Sequence, residues 1–128
     1  MSDAGVPDVT VGMPVHNGGP RLARALDSVK AAMVGASGLI HATPVGMAKH
    51  PGLPLAEALL RPSLWVSEVV YVPLETPLLK AARQAGCAVV DGGHMNVGQA
   101  LGAFRLFTGR DADPARMDAH FRRLVSAP

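Results

Sequence analysis

Cysteine is almost missing from this chain. Cys87 stands alone, so no internal disulfide can form and no cysteine-based zinc pattern exists. It lies in the apolar run Cys87-Ala-Val-Val90, where a buried free thiol in a reducing compartment is the expected state. Aromatic residues are also scarce, at one Trp, one Tyr and three Phe. A core must therefore rest on Leu, Val, Ala and Met, and 128 residues suffice for one modest domain. Charge of either sign is nearly balanced, with a net of +2, and the basic residues are scattered apart from Arg122-Arg123. No basic stripe interleaved with aromatics is available to track a nucleic-acid backbone, so nucleic acid is not an expected partner. Long apolar runs are absent, and the first residues lack a basic segment followed by an apolar one. Neither a membrane span nor a signal peptide is expected, and the cytoplasm is the expected location. The histidines His16, His41, His50, His94 and His120 show no metal-ligand spacing, and no metal is expected.

What remains is an alternation of short apolar runs with helical periodicity, the pattern of α/β units. Strands are expected at 9–14, 39–43, 66–71 and 87–91. Leu22, Ala25, Leu26 and Val29 give helical spacing across 21–33. The Pro- and Gly-rich 44–54 reads as a loop, and 55–60 as a short helix. Thr76-Pro77 is a cap followed by proline at the first helical position, and Gly86 is placed to stop that helix. A helix over 95–107 should end at Gly109. Asp113-Pro114 repeats the cap-and-proline start, and Met117, Phe121, Leu124 and Val125 form the stripe of a docked terminal helix. The fold class is thus α/β, a partial Rossmann-like doubly wound parallel sheet with C-terminal helices.

Ligands of such sheets bind at the carboxyl ends of the strands. Thr43, Gly46, Tyr71, Asp91, Gly92 and Gly93 fall there. Gly46 would let backbone approach a flat ligand closely, or serve a turn. Tyr71 offers a hydroxyl to the cleft, or packs at a strand end. Asp91-Gly92-Gly93-His94-Met95 opens a helix, and its backbone donors suit an anionic or polar ligand. It is not a phosphate loop, because the GxGxxG spacing is missing. Gln99, one turn past Met95 on the same face, is either a reader of hydroxyls or a solvated glutamine. Asp111-Ala-Asp113 is better explained by helix capping than by metal binding.

Several segments in order, Leu39-Ile-His-Ala-Thr-Pro-Val-Gly-Met47, Glu68-Val-Val-Tyr-Val-Pro-Leu-Glu-Thr-Pro-Leu-Leu79, Ala85-Gly86, Asp91-Gly92, Met95, Gln99-Ala100 and Ala103-Phe-Arg-Leu-Phe-Thr-Gly109, resemble the shikimate dehydrogenase family. His50-Pro-Gly52, Trp65 and Phe104-Arg-Leu-Phe-Thr-Gly109 are most similar to its quinate/shikimate branch. The resemblance runs from about Gly38 to Leu124. It implies reversible hydride transfer between NAD or NADP and a ring alcohol of shikimate or quinate. It implies substrate contacts at Tyr71 and Gln99, and cofactor contacts at Thr43, Val69, Gly92 and Met95. It assigns no catalytic residue, because the family's catalytic Lys and Asp and its glycine-rich loop belong to segments not found here. The expectation is therefore a truncated enzyme, inactive alone, that supplies one wall of the cleft, with self-association through exposed apolar surface and marginal stability.

Three positions depart from the family: His41 stands where Asn is usual, Glu68 where Asp is usual, and Asn96 where an apolar residue is more frequent. Residues 1–37 form a separate segment in this reading, with 38–128 as the dehydrogenase-like part. Asp8-Val-Thr-Val-Gly-Met-Pro-Val-His-Asn-Gly18 with Leu22, Ala25, Leu26 and Ser28-Val29 resembles the opening of family 2 glycosyltransferases, which implies a sugar-donor nucleotide. A non-catalytic nucleotide-binding or interaction module is the other alternative.

Overall fold

The computed structural model describes residues 9–11 and 19–126. Four parallel strands stand in chain order: β1 (Val9–Val11), β2 (Gly38–His41), β3 (Trp65–Glu68) and β4 (Ala88–Val90). Helix α1 (Gly19–Gly35) connects β1 to β2, and α2 (Pro77–Gln84) connects β3 to β4. Helices α3 (Gly92–Thr108) and α4 (Pro114–Val125) follow the last strand. The architecture is the expected Rossmann-like α/β arrangement. The expected 55–60 helix is only a 3-10 turn over Glu57–Leu59, with Leu55 and Leu59 packed partly buried against the core. Asp8 and 12–18 of the glycosyltransferase-like segment lie outside the described residues.

One face of the sheet carries the core. Leu39 on β2 and Val66 on β3 are buried against Met33 of α1 and Leu78, Ala81 and Ala82 of α2, with Leu60, Leu64 and Cys87 closing the cluster. Alternation along a strand puts His41 and Glu68 on that same covered face, two residues beyond Leu39 and Val66. The pair is in register across β2 and β3. On the other face Trp65 lies over Gly38, its registered partner. A Cβ on Gly38 would stand 1.8 Å from the Trp65 ring, so only glycine fits.

Local signals set the helix ends. The Thr76 hydroxyl accepts the Leu79 N–H at 3.3 Å, and Pro77 opens α2. Gly86 adopts φ +79 just past the helix. Gly109 ends α3 in the left-handed conformation, and Asp113 caps α4 through the Arg116 N–H. The terminal stripe is only partly docked. Met117, Phe121 and Val125 are half-buried, but Leu124 is 60% exposed. Helix α3 covers only one flank of α4, which leaves Leu124 on the rim of a groove between them. No described helix is long and apolar enough to cross a membrane.

Two substitutions test this packing. Gly38→Ala is expected to destabilise the chain by about 1–3 kcal/mol through overpacking, read from the denaturant midpoint of Trp65 fluorescence. Thr76→Val removes both a helix cap and a donor to a buried carboxylate, and should cost about 2–4 kcal/mol in the same measurement.

Candidate functional site

The carboxyl ends of β2, β3 and β4 lie side by side, because the three strands are neighbours and parallel. The ends of β2 and β3 and the residues that follow them are tied together by one buried polar cluster. Glu68, 1% exposed, accepts a hydrogen bond from the Val70 N–H at Oε1 (3.0 Å) and from the Thr76 hydroxyl at Oε2 (2.9 Å). Its Oε1 also meets Nδ1 of the buried His41 at 2.9 Å. The other ring nitrogen of His41, Nε2, lies 2.5 Å from the Thr43 hydroxyl, which also accepts the Val45 N–H. A buried carboxylate is tolerated only when its lone pairs are matched by polar partners, and here the Val70 N–H, the Thr76 hydroxyl and the His41 ring meet them.

This cluster also corrects the expected strand boundary. The ladder closes when the Val69 N–H donates to the His41 carbonyl, and the next N–H, of Val70, turns to the Glu68 side chain instead. Strand β3 therefore ends at Glu68, and Tyr71 stands three residues beyond it. Tyr71 is 43% exposed, and its ring meets Phe121 of α4 at a centroid distance of 6.0 Å and an interplanar angle of 57°. It is thus part exposed and part packed, so the two sequence readings of this residue are not exclusive.

Helix α3 starts at Gly92, earlier than its periodicity indicates. A Cβ at Gly92 would stand 2.6 Å from the Val69 carbonyl oxygen and 2.4 Å from that of Val70, so the helix start rests directly on the backbone after β3. Val69 and Gly92, both named as cofactor contacts, are thereby brought together. Met95 is 38% exposed, and Gln99, one turn further on, is exposed as well. Thr43 lies at the β2 end and joins the others through His41 and Glu68. Gly46 has φ +101 within a tight loop in which its N–H donates to the His50 carbonyl.

The α3 start is not an open anion cradle. The Asp91 carboxylate accepts the Gly93 and His94 N–H groups, which answers two of the free donors of the first turn. The same carboxylate meets His94 Nδ1 at 3.0 Å and Arg122 of α4 at 3.2 Å, and Arg122 also pairs with Asp118. Burial acts to raise the Asp91 pKa, but hydrogen bonds from Arg122 and His94 and the Arg122 charge outweigh it and hold the group below its ordinary value. Sequence reasoning missed this bridge. Its partners are 31 residues apart, and local spacing carries no sign of it. The third departure, Asn96, is half-buried and lines the groove between α3 and α4, of about 1080 Å³. None of the six substrate and cofactor candidates lines that groove.

Comparisons with known proteins cover most of this chain. The chain is 53% identical over 118 residues to shikimate dehydrogenase (NADP(+)) of Streptomyces avermitilis, an alignment of 91% of this chain and 40% of that protein. It is 59% identical over 92 residues to the corresponding protein of Pseudarthrobacter chlorophenolicus, covering 72% of this chain and 31% of the relative. This chain is homologous to the C-terminal part of shikimate/quinate dehydrogenases. The quinate/shikimate dehydrogenase (NAD(+)) of Corynebacterium efficiens is 49% identical over 96 residues, 75% of this chain and 34% of that protein. Quinate dehydrogenase from Corynebacterium glutamicum, solved in complex with NAD, superimposes with a TM-score of 0.73 at 44% identity, over 77% of this chain and 35% of that one. The chain thus spans between about a third and two-fifths of its dehydrogenase relatives. No protein-family model matches it.

The Asp91–Arg122 bridge makes stability pH-dependent in a defined direction. A carboxylate whose folded pKa is depressed contributes stability that is present above its unfolded pKa and lost as pH falls through the folded value. Asp91→Asn keeps a capping residue but loses the charge. The wild-type chain should be more stable than this variant by about 1 kcal/mol near neutral pH, with the advantage fading below about pH 4. Urea midpoints of the two proteins across that range measure it, and an advantage that persists in acid would refute the assignment.

Proposed function

We propose that this chain supplies the C-terminal part of the nicotinamide-binding unit of a shikimate/quinate dehydrogenase. The observation that carries the reading is the succession of Thr43, Val69 and Gly92 after three adjacent parallel strand ends, in a chain that aligns over 91% of its length with a shikimate dehydrogenase. The dehydrogenase-like part in this proposal comprises 38–128 and reaches into 1–37, because the aligned 91% of the chain is longer than 38–128. Bound NAD or NADP supplies the hydride-carrying ring of the reaction with a ring alcohol of shikimate or quinate.

The residues present fit such a ring. A nicotinamide has an apolar face and a polar amide edge. The partly exposed Met95 side chain provides apolar surface, while backbone carbonyls after β3 and the Thr43 hydroxyl provide polar partners. Glycine at 92 keeps the α3 start against the β3 backbone, which fixes the distance between these groups. Tyr71 and Gln99 would orient the substrate through its hydroxyl and carboxylate groups. The contribution of these residues is positioning, which converts a bimolecular encounter into an oriented one. None of them is assigned a proton-transfer role, so turnover by the chain alone is not expected.

Titration calorimetry of the chain with NAD+ and with NADP+ tests this. Saturable binding of at least one is expected, weakened about tenfold or more by Met95→Glu, which sets a charge against the ring. Absence of saturable binding to either would overturn the reading. Turnover of shikimate or quinate by the isolated chain would overturn the purely positioning role.

A further inference from the structure

The geometry points to His41 as a positioning residue that sets which way the Thr43 hydroxyl faces. This inference rests on the reading of Thr43 as a dinucleotide contact. The argument is one of hydrogen placement. Glu68 Oε1 already accepts the Val70 N–H, and Oε2 accepts the Thr76 hydroxyl. The Thr76 oxygen in turn accepts the Leu79 N–H, so its own hydrogen is committed to Glu68. An ionised carboxylate has no hydrogen to give, so the proposal assigns the proton of the 2.9 Å contact with His41 to Nδ1.

In a neutral ring that placement leaves Nε2 bare, and a bare Nε2 can only accept. Its neighbour at 2.5 Å is the Thr43 hydroxyl, which therefore donates to it. Thr43 already accepts the Val45 N–H on one lone pair. What Thr43 has left to offer the strand-end cleft is a single acceptor lone pair. The matching ligand group is a donor, such as the amide or a ribose hydroxyl of a dinucleotide. A threonine free of His41 would rotate between donor and acceptor roles and would select less sharply. The pair of family departures at 41 and 68 thus forms one unit in which the buried carboxylate fixes the tautomer and the tautomer fixes the hydroxyl.

Two measurements on the whole chain decide this. Long-range proton–nitrogen NMR of the histidine rings, in mildly alkaline buffer, should show His41 protonated at Nδ1 and bare at Nε2, unchanged in Thr43→Val because Glu68 sets it. A proton on Nε2, in either the other tautomer or the cation, overturns the proposal. Dinucleotide titrations then form a cycle. His41→Asn keeps a donor for Glu68 but not the atom facing Thr43. Alone, it should weaken binding of NAD+ or NADP+ about three- to tenfold, as Thr43→Val should. The double variant should lose no more than Thr43→Val, because His41 acts through Thr43. Losses that simply multiply would assign His41 a general structural role and sink the inference. If no dinucleotide binds at all, the functional reading fails, and the NMR result still decides the direction of the hydroxyl.

Discussion

The carboxylate of Glu68 is the constraint on which the strand ends depend. It is buried beside the apolar core, where an unpartnered charge would be intolerable, so each of its neighbours is bound to a particular geometry. Val70 must leave the sheet ladder to reach it. Thr76 must stand at the start of α2, and His41 must end β2 opposite it. Three elements that could otherwise slide on one another are thereby pinned at the end of the sheet where ligands of this fold bind. A polar network of this kind adds little net stability over an apolar core, but it specifies one arrangement.

A second bridge works from the other side. Asp91 caps α3, binds His94 and takes Arg122 from α4, so one side chain sets the start of one helix and the placement of the next. The same docking brings Phe121 against Tyr71. The substrate-facing candidate on the β3 exit is thus supported from the terminal helix, which is reached only after the chain has passed through the whole of α3. Leu106 and Phe107 of α3 remain more than three-quarters exposed, so α4 covers only part of that helix's apolar surface.

The sequence by itself determined the α/β class, the strand order along the chain, the capped starts of α2 and α4, and the stops at Gly86 and Gly109. Each follows from a local cause: alternation, a capping hydroxyl or carboxylate, a proline without a donor, a glycine able to take positive φ. It also carried the likeness to shikimate/quinate dehydrogenases, because seven separated segments keep their order and spacing. It singled out His41 and Glu68 one at a time, as departures. Only the tertiary structure decided that they touch, since residues 27 apart meet through strand register, which no local pattern records. The same holds for Asp91 with Arg122, for the early start of α3 at Gly92, and for the exposure of Leu124. Each depends on which surface another element covers, and that is settled by packing in three dimensions rather than by spacing along the chain.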